Sequence, residues 1–82
     1  MSANNQTLVK EHNGSWYVFK NIMAESWDKE NVIYVRHAYS THSTREEAFQ
    51  AALRIDDEDH TEYGVQIDVL HKDDAEVKLI EE

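Results

Sequence analysis

Cysteine and proline are absent from the 82 residues, and glycine occurs only twice. Without cysteine there is neither a disulfide frame nor a thiolate metal site, which fits an intracellular protein. With Gly14 and Gly64 as the only glycines, the chain has no glycine-rich cradle for phosphate and no nucleophile elbow. No apolar run approaches the length needed to cross a bilayer, and the start, MSANNQT, lacks the basic and apolar regions of a secretion signal. These features predict a soluble, cytoplasmic protein. Basic residues are also scarce, 8 Lys and Arg against 17 Asp and Glu, for a net charge of -9. An excess of carboxylates of this size repels phosphates, so direct nucleic-acid binding is excluded.

What the chain does contain is enough for one small globular domain, residues 1–82. With 40% hydrophobic residues in 9.6 kDa, roughly 60 to 65 per cent of the unfolded surface can be buried. The stretch Thr41 to Ile55, THSTREEAFQAALRI, predicts a helix. Ser43 and Glu46 have the spacing of a capping box, strong helix formers follow, and neither Gly nor Pro interrupts them. Ala48, Phe49, Ala52 and Ile55, with Leu53 beside them, make one apolar stripe that needs a sheet to lie on.

Residues 1–6 are polar and expected to fray. Thr7 to His12 and Ser15 to Ala24 flank Asn13-Gly14, a dipeptide suited to a two-residue type I′ turn, and so predict a hairpin. Val32 to Tyr39 reads as a third strand, antiparallel to the second. After the helix, Asp56 to Glu62 reads as a polar loop. Tyr63 to His71 alternates, with Tyr63, Val65, Ile67 and Val69 on one face, as a half-buried fourth strand does. Glu76 to Ile80 adds a short fifth through Val77 and Leu79. The predicted fold is α+β: an antiparallel sheet of four to five strands with one helix packed on one face, in the order β-β-β-α-β-β. Val65, Ile67, Val69, Ala48, Phe49, Ala52 and Ile55 should share one core.

Two features exceed what the fold requires. Acids and bases cancel up to Ile55, six of each, whereas residues 56–82 hold eleven acids against Lys72 and Lys78, the whole net charge. Asp56 to Asp59 follow the helix C-terminus, where the macrodipole makes acidic side chains unfavourable by about 0.3 to 1 kcal/mol each. Either these charges serve solubility, or they form an acidic surface that competes for a basic groove as spaced phosphates would. Asp56, Asp57, Glu58, Asp59 and Glu62 are its predicted centre, with Asp73 and Asp74 beside them. The second feature is apolar side chains on both faces of the middle strands: Trp16 and Val18 alternate with Tyr17 and Phe19, and Tyr34 lies between Ile33 and Val35. One helix covers one face. The other is half exposed, or covered by the N-terminal segment, or offers Trp16, Tyr17 and Tyr34 to a protein partner or to a second copy of the chain.

Catalytic and metal motifs are not evident. His37 and His71 would be neighbours if their strands pair, and His42 and His60 flank the helix, but none has zinc-site spacing. The loop carboxylates Asp57 and Asp59 are followed by Thr61 and Glu62 where an EF-hand needs a ligand and then Gly. No cofactor, metal or enzymatic activity is expected.

The order of hairpin, strand, S-T-x-E-E-A-x-x-A-A helix and strand, over about Ser15 to Leu70, resembles short phage and plasmid proteins that inhibit a host enzyme, among them the phage inhibitors of bacterial RNA polymerase. Anti-restriction and anti-CRISPR proteins that imitate DNA are similar in size and acidity, without a shared motif. The resemblance implies stoichiometric inhibition by surface contact. It carries over no binding residue, because the polymerase inhibitor lacks the acidic run after the helix.

Overall fold

Asn13 and Gly14 both take positive φ, 52° and 83°, the requirement of a type I′ turn. They join β1, Asn5–His12, to β2, Ser15–Met23. The computed structural model describes residues 5–23, 32–61, 64–70 and 75–81. Its further elements are β3 (Val32–Tyr34), a 3-10 turn (Val35–His37), β4 (Ser40–His42), α1 (Arg45–Asp59), β5 (Val65–Ile67), β6 (Val69–Leu70), β7 (Ala75–Glu76) and β8 (Lys78–Ile80). No helix among the described residues is long and apolar enough to cross a membrane.

The architecture is α+β, one helix on a mixed four-stranded sheet of order β4-β2-β1-β5. The hairpin pairs Leu8 with Phe19 and Val9 with Val18, after an irregularity between Gln6 and Leu8. Asn5 and Gln6 do not fray as expected: they begin β1 and are buried. The run Val32 to Tyr39 is not one strand. Its start is β3, which pairs in parallel with β8 in a separate two-stranded sheet. The 3-10 turn, closed by Ala38 N–H donating to the Val35 carbonyl at 3.0 Å, redirects the chain. Only Ser40–His42 then pairs antiparallel with β2. Local β propensity marks the whole run as extended but carries no information about which partner each half takes.

The helix begins one residue later than the capping box predicted. Thr44, not Ser43, is the N-cap, and its Oγ1 accepts from the Glu47 N–H at 3.2 Å. Both Ser43 and Thr44 donate their hydroxyls to the Glu47 carboxylate, at 2.9 and 3.2 Å. The helix also ends later, at Asp59, so Asp56 to Asp59 form its last turn and not a loop. His60 closes it in the left-handed conformation, φ 51°, with its N–H on the Asp56 carbonyl at 2.7 Å. The Thr61 hydroxyl donates to the Asp56 carboxylate. These local bonds, with buried Ile55 drawing the turn onto the sheet, offset the unfavourable charge at the negative end of the macrodipole.

β5 runs parallel to β1, Thr7 opposite Val65 and Val9 opposite Ile67, so the main sheet is not wholly antiparallel. The alternation expected from Tyr63 to His71 stops at Asp68, which takes φ 68°, a conformation that Asp tolerates better than most residues. Its N–H continues the ladder to the Val9 carbonyl at 2.9 Å, and its carbonyl accepts from Val77 N–H at 3.3 Å. Val69 therefore falls in the separate β6–β7 pair, opposite Glu76. Tyr63 lies outside the described residues.

Both faces of the hairpin are covered. On one, Val9 and Val18 meet Ala48, Ala52 and Ile55 of α1, with Trp16, Ala51, Val65 and Ile67 around them. On the other, Leu8 and Phe19 meet Val77, with Tyr17, Ile22, Ile33, Ala38 and Leu79 packed against them. The expected core residues Ala48, Ala52, Ile55, Val65 and Ile67 thus share one cluster, while Phe49 is half-buried at its margin beside Ile67. The second face is closed by β3 and the C-terminal strands; residues 1–4 of the N-terminal segment expected to cover it lie outside the described residues. Val9 and Val18 are fully buried, so the small Ala48 and Ala52 set how closely the helix lies on the sheet.

Ala52 has no room for a larger side chain. Ala52→Leu should cost about 1 to 3 kcal/mol through overpacking, whereas Leu53→Ala, at a residue 40% exposed, should stay within about 0.5 kcal/mol; urea denaturation compares them. The Thr7 hydroxyl is fully buried and finds no hydrogen-bond partner among the described residues. Thr7→Val, of the same shape, should therefore raise stability by about 1 kcal/mol in the same assay.

Candidate functional site

The last turn of α1 carries four consecutive carboxylates. Asp56 is half-buried and engaged by Thr61, whereas Asp57, Glu58 and Asp59 are exposed. Among the described residues these three make no ion pair. The helix has no basic residue in its last turn, so their charge adds to the negative end of the macrodipole. An outward negative field results at one end of the molecule, suited to receive Lys or Arg side chains.

Among the described residues, Asp68 and Glu81 of the anionic third stand apart from this helix end. Glu81 accepts from Asn13 Nδ2 at 2.7 Å and lies 3.1 Å from His12 Nε2, at the β1–β2 turn. That turn is at the end of the sheet where α1 begins, because Trp16 stands opposite His42. Asp68 is exposed at the break between β5 and β6. Glu62, Asp73 and Asp74, predicted as part of the acidic surface, lie outside the described residues.

The predicted aromatic contacts are likewise separated. Trp16 is half-buried on the helix side of β2 and Tyr17 is half-buried on the opposite side, beneath the second layer. They do not form one face. Tyr34 is half-buried in β3, with the Arg36 guanidinium 5.3 Å from its ring centre and the His37 ring edge-on at 5.9 Å. Of the large apolar residues described, Tyr39, Leu53 and Ile80 are the exposed ones, and Lys20 Nζ sits 4.5 Å over the Tyr39 ring.

The histidines are dispersed. His42 lies on β4, its Nε2 2.9 Å from the Ser40 hydroxyl; His60 caps the helix; His12 meets Glu81; His37 is on the 3-10 turn, not on a strand beside His71, which lies outside the described residues. Among the described residues no three His, Asp or Glu side chains converge as a metal site would require.

Sequence reasoning missed a trough between α1 and β4, bordered by Tyr39, His42, Ala51 and Arg54. From sequence, His42 falls in a loop at one end of the helix, and only the strand order shows that Ser40–His42 forms β4, at the sheet edge beside the helix. No protein-family model, curated protein or solved structure matches this chain.

At the other end of the helix, the hydroxyls of Ser43 and then Thr44 hold the Glu47 carboxyl below its ordinary pKa. A lowered folded-state pKa contributes stability above the unfolded glutamate value of about 4.3 and loses it as pH falls through the lower folded value. Glu47→Gln should therefore lower the melting temperature at pH 7. The gap to the unaltered protein should close as pH is taken below about 4.3, which circular dichroism melts across that range would record.

Proposed function

We propose that this chain is a non-catalytic acidic binding protein of phage type, which occupies the nucleic-acid-binding groove of a host enzyme or defence complex in the cytoplasm. The exposed carboxylates of Asp57, Glu58 and Asp59 at the negative end of α1 support this reading. Folding gains nothing from acids at that end, since each opposes the macrodipole. Facing the Arg and Lys residues that otherwise hold a phosphate backbone, the same charges would give fast, salt-sensitive association. The lack of cysteine fits a reducing compartment.

The alternative of a homodimer joined through an aromatic sheet face has less support, because Tyr17 and Phe19 are packed within the chain against Leu8 and Val77.

The triple variant Asp57→Asn, Glu58→Gln, Asp59→Asn tests the proposal. Immobilised protein should capture from a host lysate a nucleic-acid-handling enzyme that is released by duplex DNA and by raised salt, and the variant should capture at least about tenfold less at low salt. The variant should be no less stable than the parent, since each change removes up to about 1 kcal/mol of unfavourable dipole interaction. Undiminished capture by a folded variant contradicts the electrostatic mechanism.

A further inference from the structure

The outermost strand β4 has a neighbour, β2, on one side only among the described residues. On its helix side lies the trough already noted. Glu46 and Glu47 stand at the end where α1 begins, Tyr39 and Glu58 at the other, and His42, Ala51 and Arg54 line both halves. Ser40 and His42 pair with Val18 and Trp16, whose side chains lie on the helix face of the sheet. A further strand laid along β4 would therefore direct every second side chain over this trough.

The trough itself specifies what fits. Its middle is lined by the small Ala51 side chain, and its lining carries three carboxylates, Glu46, Glu47 and Glu58, against the single cation of Arg54. Ser43 and Thr44 hold the Glu47 carboxylate in place at one end. A second copy of this chain, itself at net charge -9, would be repelled, whereas a cationic segment would be drawn in. Glu47 and Glu58 are eleven positions apart on α1, which is about 16 Å at the helical rise. Side chains at i and i+4 on one face of an extended strand stand about 13 Å apart, and the reach of long Lys or Arg side chains covers the remaining ~3 Å to the two acids.

We propose that the edge of β4 left unpaired among the described residues, and the trough beside it, receive an extended, basic segment of a partner protein by strand addition. Lys or Arg at i and i+4 lies against Glu47 and Glu58, and a small apolar side chain at i+2 lies over Ala51. The site rests on the preceding functional reading for the sign of the partner's charge and shares Glu58 with it. Ser40, His42, Ala51 and Glu47 belong to the trough and not to that helix end.

The probe is a labelled peptide, Lys-Thr-Val-Thr-Lys flanked by Gly-Ser, titrated into the full-length 15N-labelled protein. Saturable amide shifts should appear at Ser40, Thr41, His42, Ala51 and Arg54. Two further peptides, one N-methylated on both Thr and one on Val and the second Lys, keep the charge but each removes one set of strand hydrogen bonds. One of the two should bind at least tenfold more weakly, and Glu58→Gln should weaken the parent peptide several-fold. Equal binding by all three peptides, or no saturable shift at β4 with millimolar peptide, overturns the proposal. Shifts confined to Asp57–Asp59 overturn it too, while leaving the acidic helix end intact as a binding surface. Conversely, β4 shifts that survive unchanged in Asp57→Asn, Asp59→Asn uphold the edge site independently of that surface. A peptide-free dimer in sedimentation velocity, with its interface mapped to β4, would assign the edge to a second copy and likewise overturn it.

Discussion

Everything in this fold depends on a hairpin that is apolar on both sides. Leu8 with Phe19, and Val9 with Val18, are adjacent pairs on opposite faces of β1 and β2. A two-stranded ribbon of this kind is marginal in water by itself, and each of its faces must be taken out of water by something the hairpin does not contain. The helix does so on one side, and β3 with the C-terminal strands on the other. The chain is consequently three layers thick although it has only 82 residues, and most of its aromatic and β-branched side chains are used inside it. The apolar sheet face that looked available for a partner is therefore largely filled, and among the described residues the helix end and the outer edge of β4 remain open.

The parts of the fold that short-range chemistry decides were legible from the residues. Asn13-Gly14 fixes the hairpin register, and the stripe of Ala48, Ala52 and Ile55 fixes which side of α1 faces the sheet. The parts decided by long-range pairing were not legible. Nothing local to Val32 to Tyr39 says that its first half pairs with Lys78 to Ile80 while Ser40 to His42 pairs with β2. Nor does the alternation through Val65, Ile67 and Val69 reveal that Asp68 will turn the backbone out of register. The helix limits fall between these cases. Thr44 is as good a cap as Ser43, and Glu47 as good a partner as Glu46, so the choice between them rests on how the first turn meets the sheet.

The acidic surface was legible in composition but not in extent. Asp57, Glu58 and Asp59 form an outward group, as their clustering implied. Glu81 is instead held by Asn13 and His12 across 68 and 69 positions of sequence, and Asp56 is held by Thr61. A count of charges along the chain cannot separate a carboxylate that faces solvent from one recruited to hold two distant segments together. That separation is a matter of topology, and among the described residues it leaves one helix end as the outward acidic group.

The order in which these layers arrive along the chain has its own consequence. β1 and β2 are made before Val77, which seals Leu8 and Phe19 and follows them by more than fifty positions. The parallel pairings of β1 with β5 and β3 with β8 close long stretches of chain before they return any binding energy, a topology that slows folding. During that interval the nascent hairpin presents uncovered apolar side chains. A hairpin greasy on both sides thus ties solubility to how quickly its later-arriving covers dock.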